Sequence, residues 1–345
     1  MSATDRVRLT HGGTTMPDLP MSWDELLRLE PQPARQEIPE ELRGYAPDPV
    51  PTRTIRRVER ATAPAAAGAK SDRAAESVTN DGYCPPWVAT SPKPARRRFT
   101  PPPEVWHRGE RLNPLYIVGP DNRTAYNDLS YPWGCVCKIT TAAGARGSGV
   151  LIGPRHVLTA SHCVDWGTDA AEKIEVHLQG TVAAATTFDT AAYAFTHISG
   201  NPSSSTVDED YAVLVLADRL GDRFGWFGTK TYDSGWDDEG FWTTIGYPGD
   251  GAFGTQFPTF QNGVWLDEDE FDYGSGRAMT TNADVKPGQS GSPFFGMWNE
   301  GGTQIAYAVA VVSAEGEIFL SGNENWASGG SDLGRIVRQA RDENP

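Results

Sequence analysis

Long apolar runs are missing from this sequence. No stretch reaches the roughly 18 consecutive apolar residues that a membrane-spanning helix needs, so no such helix is expected and no membrane partner is implied. The opening residues Met1–Arg8 contain no apolar h-region, which argues against an ordinary signal peptide. A secreted or extracellular location would then depend on another export route or a different start. Cysteine is scarce: Cys84, Cys135, Cys137 and Cys163 are the only four. Their spacing, with that of the six histidines, fits no zinc pattern, so neither a metal site nor another cofactor is expected. The acidic run Asp267-Glu268-Asp269-Glu270 reads as solvated charge rather than a calcium loop.

Basic residues are also few where they would matter. Lys and Arg total 30 against 45 Asp and Glu, a formal net charge of −15. Residues 1–115 hold 17 Lys and Arg against 15 Asp and Glu, whereas the remainder holds 13 against 30. A phosphate backbone needs clustered cations, so nucleic acid is excluded as a partner of the acidic part. Its acidity reads as a solubility feature.

Aromatic residues are plentiful: 11 Trp, 11 Tyr and 13 Phe within an apolar share of 38% supply a substantial core. They are unevenly used. Residues 1–115 are rich in Pro, Ala, Arg and Glu and have too little apolar surface to offset ordering entropy, so they read as an irregular N-terminal extension or pro-segment. One island differs: Ser22, then Glu25 three residues later and Leu26, Leu27 and Leu29, is a capping box opening a short helix. From Tyr116 the texture changes. Short apolar runs at Val136–Thr140, Val150–Ile152, Ile174–Leu178, Ala212–Leu216, Phe241–Ile245, Ala306–Val312 and Ile318–Leu320 alternate with turn residues and predict strands. Leu333, Ile336, Val337 and Ala340 follow helical spacing and predict an amphipathic helix over about 332–343. The organisation expected is an extension over 1–115, then one domain over 116–345, with a first barrel at about 130–225 and a second at about 238–332.

Three motifs carry chemistry. Thr159-Ala160-Ser161-His162-Cys163 places a histidine just past a strand end. Asp210 opens the buried run Tyr211-Ala212-Val213-Leu214-Val215-Leu216. Ser290 lies in Pro287-Gly288-Gln289-Ser290-Gly291-Ser292-Pro293. A serine hydroxyl is a weak nucleophile until an imidazole takes its proton, and the imidazole needs a carboxylate to fix its tautomer. Asp208 and Glu209 compete with Asp210, which is favoured because it directly precedes the strand. Gly288 permits the backbone turn that would aim its own N–H and that of Ser290 at an oxyanion. The order His, Asp, Ser is that of the chymotrypsin type.

These residues resemble the trypsin/chymotrypsin superfamily and, within it, the bacterial glutamyl endopeptidase branch. The resemblance runs from about Tyr116 to the C-terminus. It includes Asp121-Asn122-Arg123, Tyr131-Pro132-Trp133, Gly147-Ser148-Gly149-Val150-Leu151-Ile152-Gly153 and Gly246-Tyr247-Pro248-Gly249-Asp250. It implies an all-β fold of two antiparallel six-stranded barrels with a C-terminal helix. It further implies endopeptidase action on protein or peptide substrates by a monomer, and removal of a pro-segment near Leu115–Val118, with the extension as an inhibitory partner. Two departures stand out. Gln289 replaces the aspartate that pairs with a freed amino terminus in trypsin-like zymogens. No histidine follows His197, and Val285 stands where the branch has a threonine, so the side chains that would read glutamate are absent. Asp284, six residues before Ser290, and Glu315, after Ser313 at the pocket border, would instead favour a basic side chain, with Lys286 opposing. Relatives bond the cysteine after the catalytic histidine, which implies Cys163 paired with Cys135 or Cys137 and Cys84 with the other. The rival reading is a catalytically silent, protease-like binding protein whose extension carries the function.

Overall fold

The computed structural model describes residues 18–43, 56–57, 77–96, 106–107, 110–111, 121–140, 146–164, 166, 175–178, 184–249, 257–268, 276–314 and 325–345. In chain order the early strands are β1 (Arg56–Arg57), β2 (Thr79–Asn80), β3 (Trp106–His107), β4 (Glu110–Arg111) and β5 (Thr124–Ala125). Next come β6 (Val136–Thr140), β7 (Arg146–Gly153), β8 (His156–Thr159), β9 (Glu175–Leu178), β10 (Ala184–Tyr193) and β11 (Ala212–Leu216). The rest are β12 (Gly228–Lys230), β13 (Trp242–Gly246), β14 (Thr259–Val264), β15 (Leu266–Glu268), β16 (Gly276–Thr281), β17 (Pro293–Glu300), β18 (Thr303–Ala314) and β19 (Asn325–Gly330). Helices are α1 (Trp23–Leu27), α2 (Glu40–Arg43), α3 (Leu220–Phe224) and α4 (Ser331–Glu343).

The first barrel closes in the order β10-β11-β8-β7-β6-β9, because β9 pairs with both β6 and β10. The second closes through a bent stretch, Thr259 to Glu268. Its first half, β14, pairs with β13 and its second half, β15, with β16; the circuit continues β19-β18-β17 and back to β13. Closure leaves no free edge within either circuit. The architecture is the antiparallel double barrel expected from the sequence, with α4 at the end of the chain.

Strands form where short apolar and β-branched runs meet turn residues. β8 and β11 are buried at every position, which suits strands covered on both faces. One core spans the two barrels: Trp133 contacts Tyr126, Phe260 and Phe295, and Phe227 contacts Tyr131 and Phe295. Each such side chain contributes roughly 1.5–3 kcal/mol by leaving water. In α4 the buried residues include Leu333, Ile336, Val337 and Ala340, the stripe read from the sequence. Ser22 caps α1 with both bonds of the capping box in place. Strands β6 and β11 match the runs read from the sequence end to end; Ile318–Leu320 and Glu315 lie outside the described residues.

Candidate active site

His162 sits in the short turn Ser161–Cys163, separated from the end of β8 by one residue, and Asp210 lies two residues before the start of β11. β8 and β11 are neighbours, paired from Ala212 with Thr159, so strand pairing brings the two residues together. The His162 ring nitrogen Nδ1 lies 2.6 Å from Asp210 Oδ2, and the His162 backbone N–H donates to Oδ1 at 2.9 Å. Ser313 Oγ donates to Oδ2 at 2.6 Å. Asp210 is fully buried, and three donors stabilise its charge there. A carboxylate facing Nδ1 assigns the proton to that nitrogen and leaves Nε2 as the basic one. Burial of the ring disfavours its charged form. The Cys163 sulfur and the Asp210 carboxylate, with their bonds to the ring, outweigh burial and hold the His162 pKa well above the ordinary 6.5. The neighbouring carboxylates face elsewhere: Glu209 accepts from Thr196 Oγ1, and Asp208 is buried beneath Gly276.

Ser290 precedes β17 and is half-buried. Gly288 has φ +96°, and a Cβ there would lie 2.7 Å from the Tyr247 carbonyl oxygen, so glycine is required. Among the described hydrogen bonds, the backbone N–H groups of Gly288 and Ser290 donate to no protein acceptor. The loop is held from the first barrel by Ser148. Its N–H donates to Ser290 O at 2.8 Å, and its hydroxyl donates to Gly288 O at 2.7 Å while accepting from Tyr247 N–H at 2.8 Å. Cys163 Sγ donates to the same Ser290 oxygen at 3.6 Å. No hydrogen bond joins the His162 ring to Ser290 Oγ among the described residues; such bonds commonly tighten only when substrate binds.

A buried polar cluster lies behind this loop. Gln289 Oε1 accepts from Arg123 Nη1 at 3.1 Å and from Lys286 N–H at 3.0 Å. Arg123 pairs with Asp121 at 2.8 Å. Burial raises the Asp121 pKa, but the Arg123 guanidinium and Lys286 overcome this and lower it. Asp284, expected at the pocket floor, is fully buried; Oδ2 accepts from Asn122 N–H at 2.8 Å. Val285 is fully buried as well. Ser313, read from the sequence as a pocket residue, spends its hydroxyl on Asp210. Sequence reasoning missed the roles of Ser148 and Arg123; the GSG and DNR blocks that contain them were the available signal.

The expected disulfides are corrected by the structure, in which all four cysteines are buried free thiols. Each sulfur reaches a backbone carbonyl, that of Cys84 the carbonyl of Pro85 at 3.9 Å. Cys135 Sγ reaches the carbonyls of Phe224 and Gly225, and Cys137 Sγ reaches that of Cys135. Cys163 lies against Gly147, where a Cβ would come 2.7 Å from the sulfur. Burial pushes the Cys84 thiol up to about 11 and also raises Cys135 and Cys137. Among the described residues no group of three or more His, Cys, Asp or Glu side chains is arranged to hold a metal ion, and no helix is long and apolar enough to cross a membrane.

Residues 147–302 match the trypsin-like peptidase domain. The chain is 26% identical over 231 residues to a glutamyl endopeptidase of Bacillus licheniformis, covering 64% of this chain and 65% of that protein. It is also 26% identical over 210 residues to a protein of Bacillus subtilis named extracellular metalloprotease, covering 58% and 63%. The chain thus spans just under two thirds of the length of these relatives. A solved Glu endopeptidase structure, in complex with MPD, superposes with a TM-score of 0.51 at 22% identity, over 66% of this chain and 99% of that one, and shares the fold. Residues 147–302 are therefore similar to a trypsin-like peptidase domain, and the chain has the antiparallel double-barrel fold. It resembles the glutamyl endopeptidase-like branch of the serine proteases.

Proposed function

We propose that the chain is a serine endopeptidase acting on protein or peptide substrates, and that it acts outside the cell. The observation that carries this reading is the buried Asp210 carboxylate bonded to both the ring and the backbone of His162, on the barrel that faces the Ser290 loop. His162 Nε2 takes the proton of Ser290 Oγ as that oxygen attacks the scissile carbonyl. The Nδ1–H bond to Asp210 stabilises the imidazolium. The N–H groups of Gly288 and Ser290 receive the oxyanion, each donor being worth about 10²–10³ in rate. Collapse of the tetrahedral adduct passes the proton to the leaving amine and leaves an ester on Ser290. Water, deprotonated by His162, then hydrolyses that ester and restores the hydroxyl. Asp284, Val285 and Ser313 form the walls behind the side chain on the acyl side of the cut.

A fluorophosphonate probe tests the reading. Labelling of the wild type but not of Ser290→Ala, with loss of casein digestion in the variant, is the expected result. Equal labelling of both proteins would refute the assignment of Ser290. A wild type that is neither labelled nor active on casein would favour the silent, binding-protein reading.

A further inference from the structure

Residues 18–43 and 77–96 lie in the stretch read as an irregular extension, yet they are built into the second barrel. β2 runs antiparallel to β12, which in turn pairs with β18, so the early chain adds a strand to the sheet. Val78, Asn80 and Cys84 are buried. Asn80 Nδ2 donates to Thr229 Oγ1 at 2.7 Å and to the carbonyl of Gly334 in α4 at 2.8 Å. Val78 N–H donates to Thr231 Oγ1, and Tyr83 and Trp226 exchange two backbone bonds, each at 2.9 Å. From α4, Arg338 and Arg341 donate to the carbonyls of Thr79 and Asp81. Further along, Trp133 Nε1 donates to Ser91 O at 2.8 Å, and at the near end Met21 N–H donates to Met297 O at 2.7 Å.

The body is shaped for this segment. Gly334 lies inside a helix, where glycine is a poor choice. A Cβ there would lie 2.8 Å from Val78 Cγ1, 2.9 Å from Val78 Cβ and 3.3 Å from Val78 O. Gly334 is thus kept bare where the segment passes. Among the described residues, no hydrogen bond or ring contact links residues 18–96 to His162, Asp210 or Ser290. Released from the body, the segment would leave Thr229 and the Gly334 carbonyl without their partners and uncover the surface under Val78.

We propose that residues 18–43 and 77–96 act as a permanent strap, and that a cut between residues 97 and 120 yields a two-chain protein rather than a released fragment. The strap holds without a covalent link, since Cys84 is a free thiol. The test uses the full chain carrying Ser290→Ala, with a site-specific protease sequence inserted between residues 98 and 104. After complete cleavage, both fragments should co-elute on size exclusion at the volume of the uncut chain and separate only in denaturant. Native separation, with the larger fragment retaining its melting temperature, would overturn the proposal. In the uncut chain, Val78→Asp with Asn80→Ala should lower the melting temperature by roughly 5–10 °C; an unchanged value would also overturn it. Neither readout requires catalysis, so both stand apart from the test of Ser290.

Discussion

Arg123 Nη1 donates to Gln289 Oε1 at 3.1 Å, joining two residues 166 positions apart. The guanidinium is almost wholly buried, with a side-chain exposure of 1%, and a charge so placed must be paired. Asp121 supplies the charge, accepting from Nε and Nη2, and Gln289 accepts from Nη1. Gln289 is the residue between the two N–H groups proposed for the oxyanion, so this contact fixes the loop that carries them. A freed amino terminus is not needed to fill the place.

Replacing Arg123 with Met should therefore act on kcat. The expected loss is up to about 10²-fold, the scale of one oxyanion donor, with KM little changed. Steady-state kinetics on a peptide substrate checks this. A rise in KM at constant kcat would show that Arg123 serves substrate binding instead.

In the proposed mechanism the raised pKa of His162 sets the acid limb of activity. Catalysis requires the neutral ring, so kcat/KM should climb with pH through a midpoint above the ordinary imidazole value of about 6.5. Asp210→Asn removes the charge that favours the imidazolium and misdirects the tautomer. The limb should move to lower pH while kcat drops about 10⁴-fold. Ser313→Ala removes one neutral donor to Asp210 at 2.6 Å, a loss of about 1 kcal/mol, or roughly fivefold in rate. A pH profile of Asp210→Asn with an unmoved acid limb would contradict the pairing.

The thiols give a direct count. Since Cys84, Cys135, Cys137 and Cys163 are all free and buried, alkylation without reductant should modify four cysteines in denaturant. Burial raises the pKa of Cys84, Cys135 and Cys137, so these three should resist alkylation in the native protein. Recovery of any cysteine pair by non-reducing mass spectrometry would restore the sequence-based expectation.

Features encoded locally were legible in the sequence. The barrel strands are short apolar runs, α4 carries its stripe at helical spacing, and His162, Asp210 and Ser290 each stand beside a recognisable run. What was not legible depends on distant partners. Ser148 is one small polar residue whose hydroxyl meets Gly288 140 positions away, and only the pairing of the two barrels brings them together. Ser313 borders the expected pocket in sequence, yet it points at Asp210, 103 positions earlier. Strand β2 is only two residues long, and its existence depends on the groove beside β12 rather than on any apolar pattern of its own. The cysteine pairing failed for a related reason: spacing limits which sulfurs can meet but does not say which way each one faces.

Asp284 gives a prediction about selectivity. Its carboxylate is fully buried and accepts from Asn122 N–H, within a cluster that also holds Asp121, Arg123 and Lys286. Two carboxylates face two cations there, so the formal charges balance, and a floor of this kind exerts little net pull on a basic or acidic side chain. Asp284→Asn should leave the preference between charged residues at the cleavage site within about tenfold of the wild type, while lowering stability by about 1–3 kcal/mol through the weakened bond to Asn122. A peptide-library cleavage profile decides it. Loss of a strong preference for Arg or Lys in the variant would assign Asp284 to substrate recognition.

His156 should make stability depend on pH. The ring is fully buried, and Nε2 donates to the Ala340 carbonyl at 3.0 Å, tying β8 to α4, while Nδ1 has no hydrogen-bond partner among the described residues. Burial, with repulsion from Arg341, Arg155 and Arg219, lowers its pKa to about 4 against a bond to Ala340 that raises it. In the unfolded chain the ring takes a proton near pH 6.5; in the native state it does so only near 4. Between those values the unfolded state binds more protons, so acidification stabilises it and net folding stability falls. Below about pH 4 both states are protonated, and the loss stops growing at about 3 kcal/mol. Replacing His156 with Gln keeps a donor for Ala340 but removes the titration. Denaturant unfolding of both proteins across this range should show the wild type losing about 3 kcal/mol relative to the variant as pH falls from about 6.5 to 4. A difference that stays constant with pH would show that the His156 ring is protonated equally in the folded and unfolded chain.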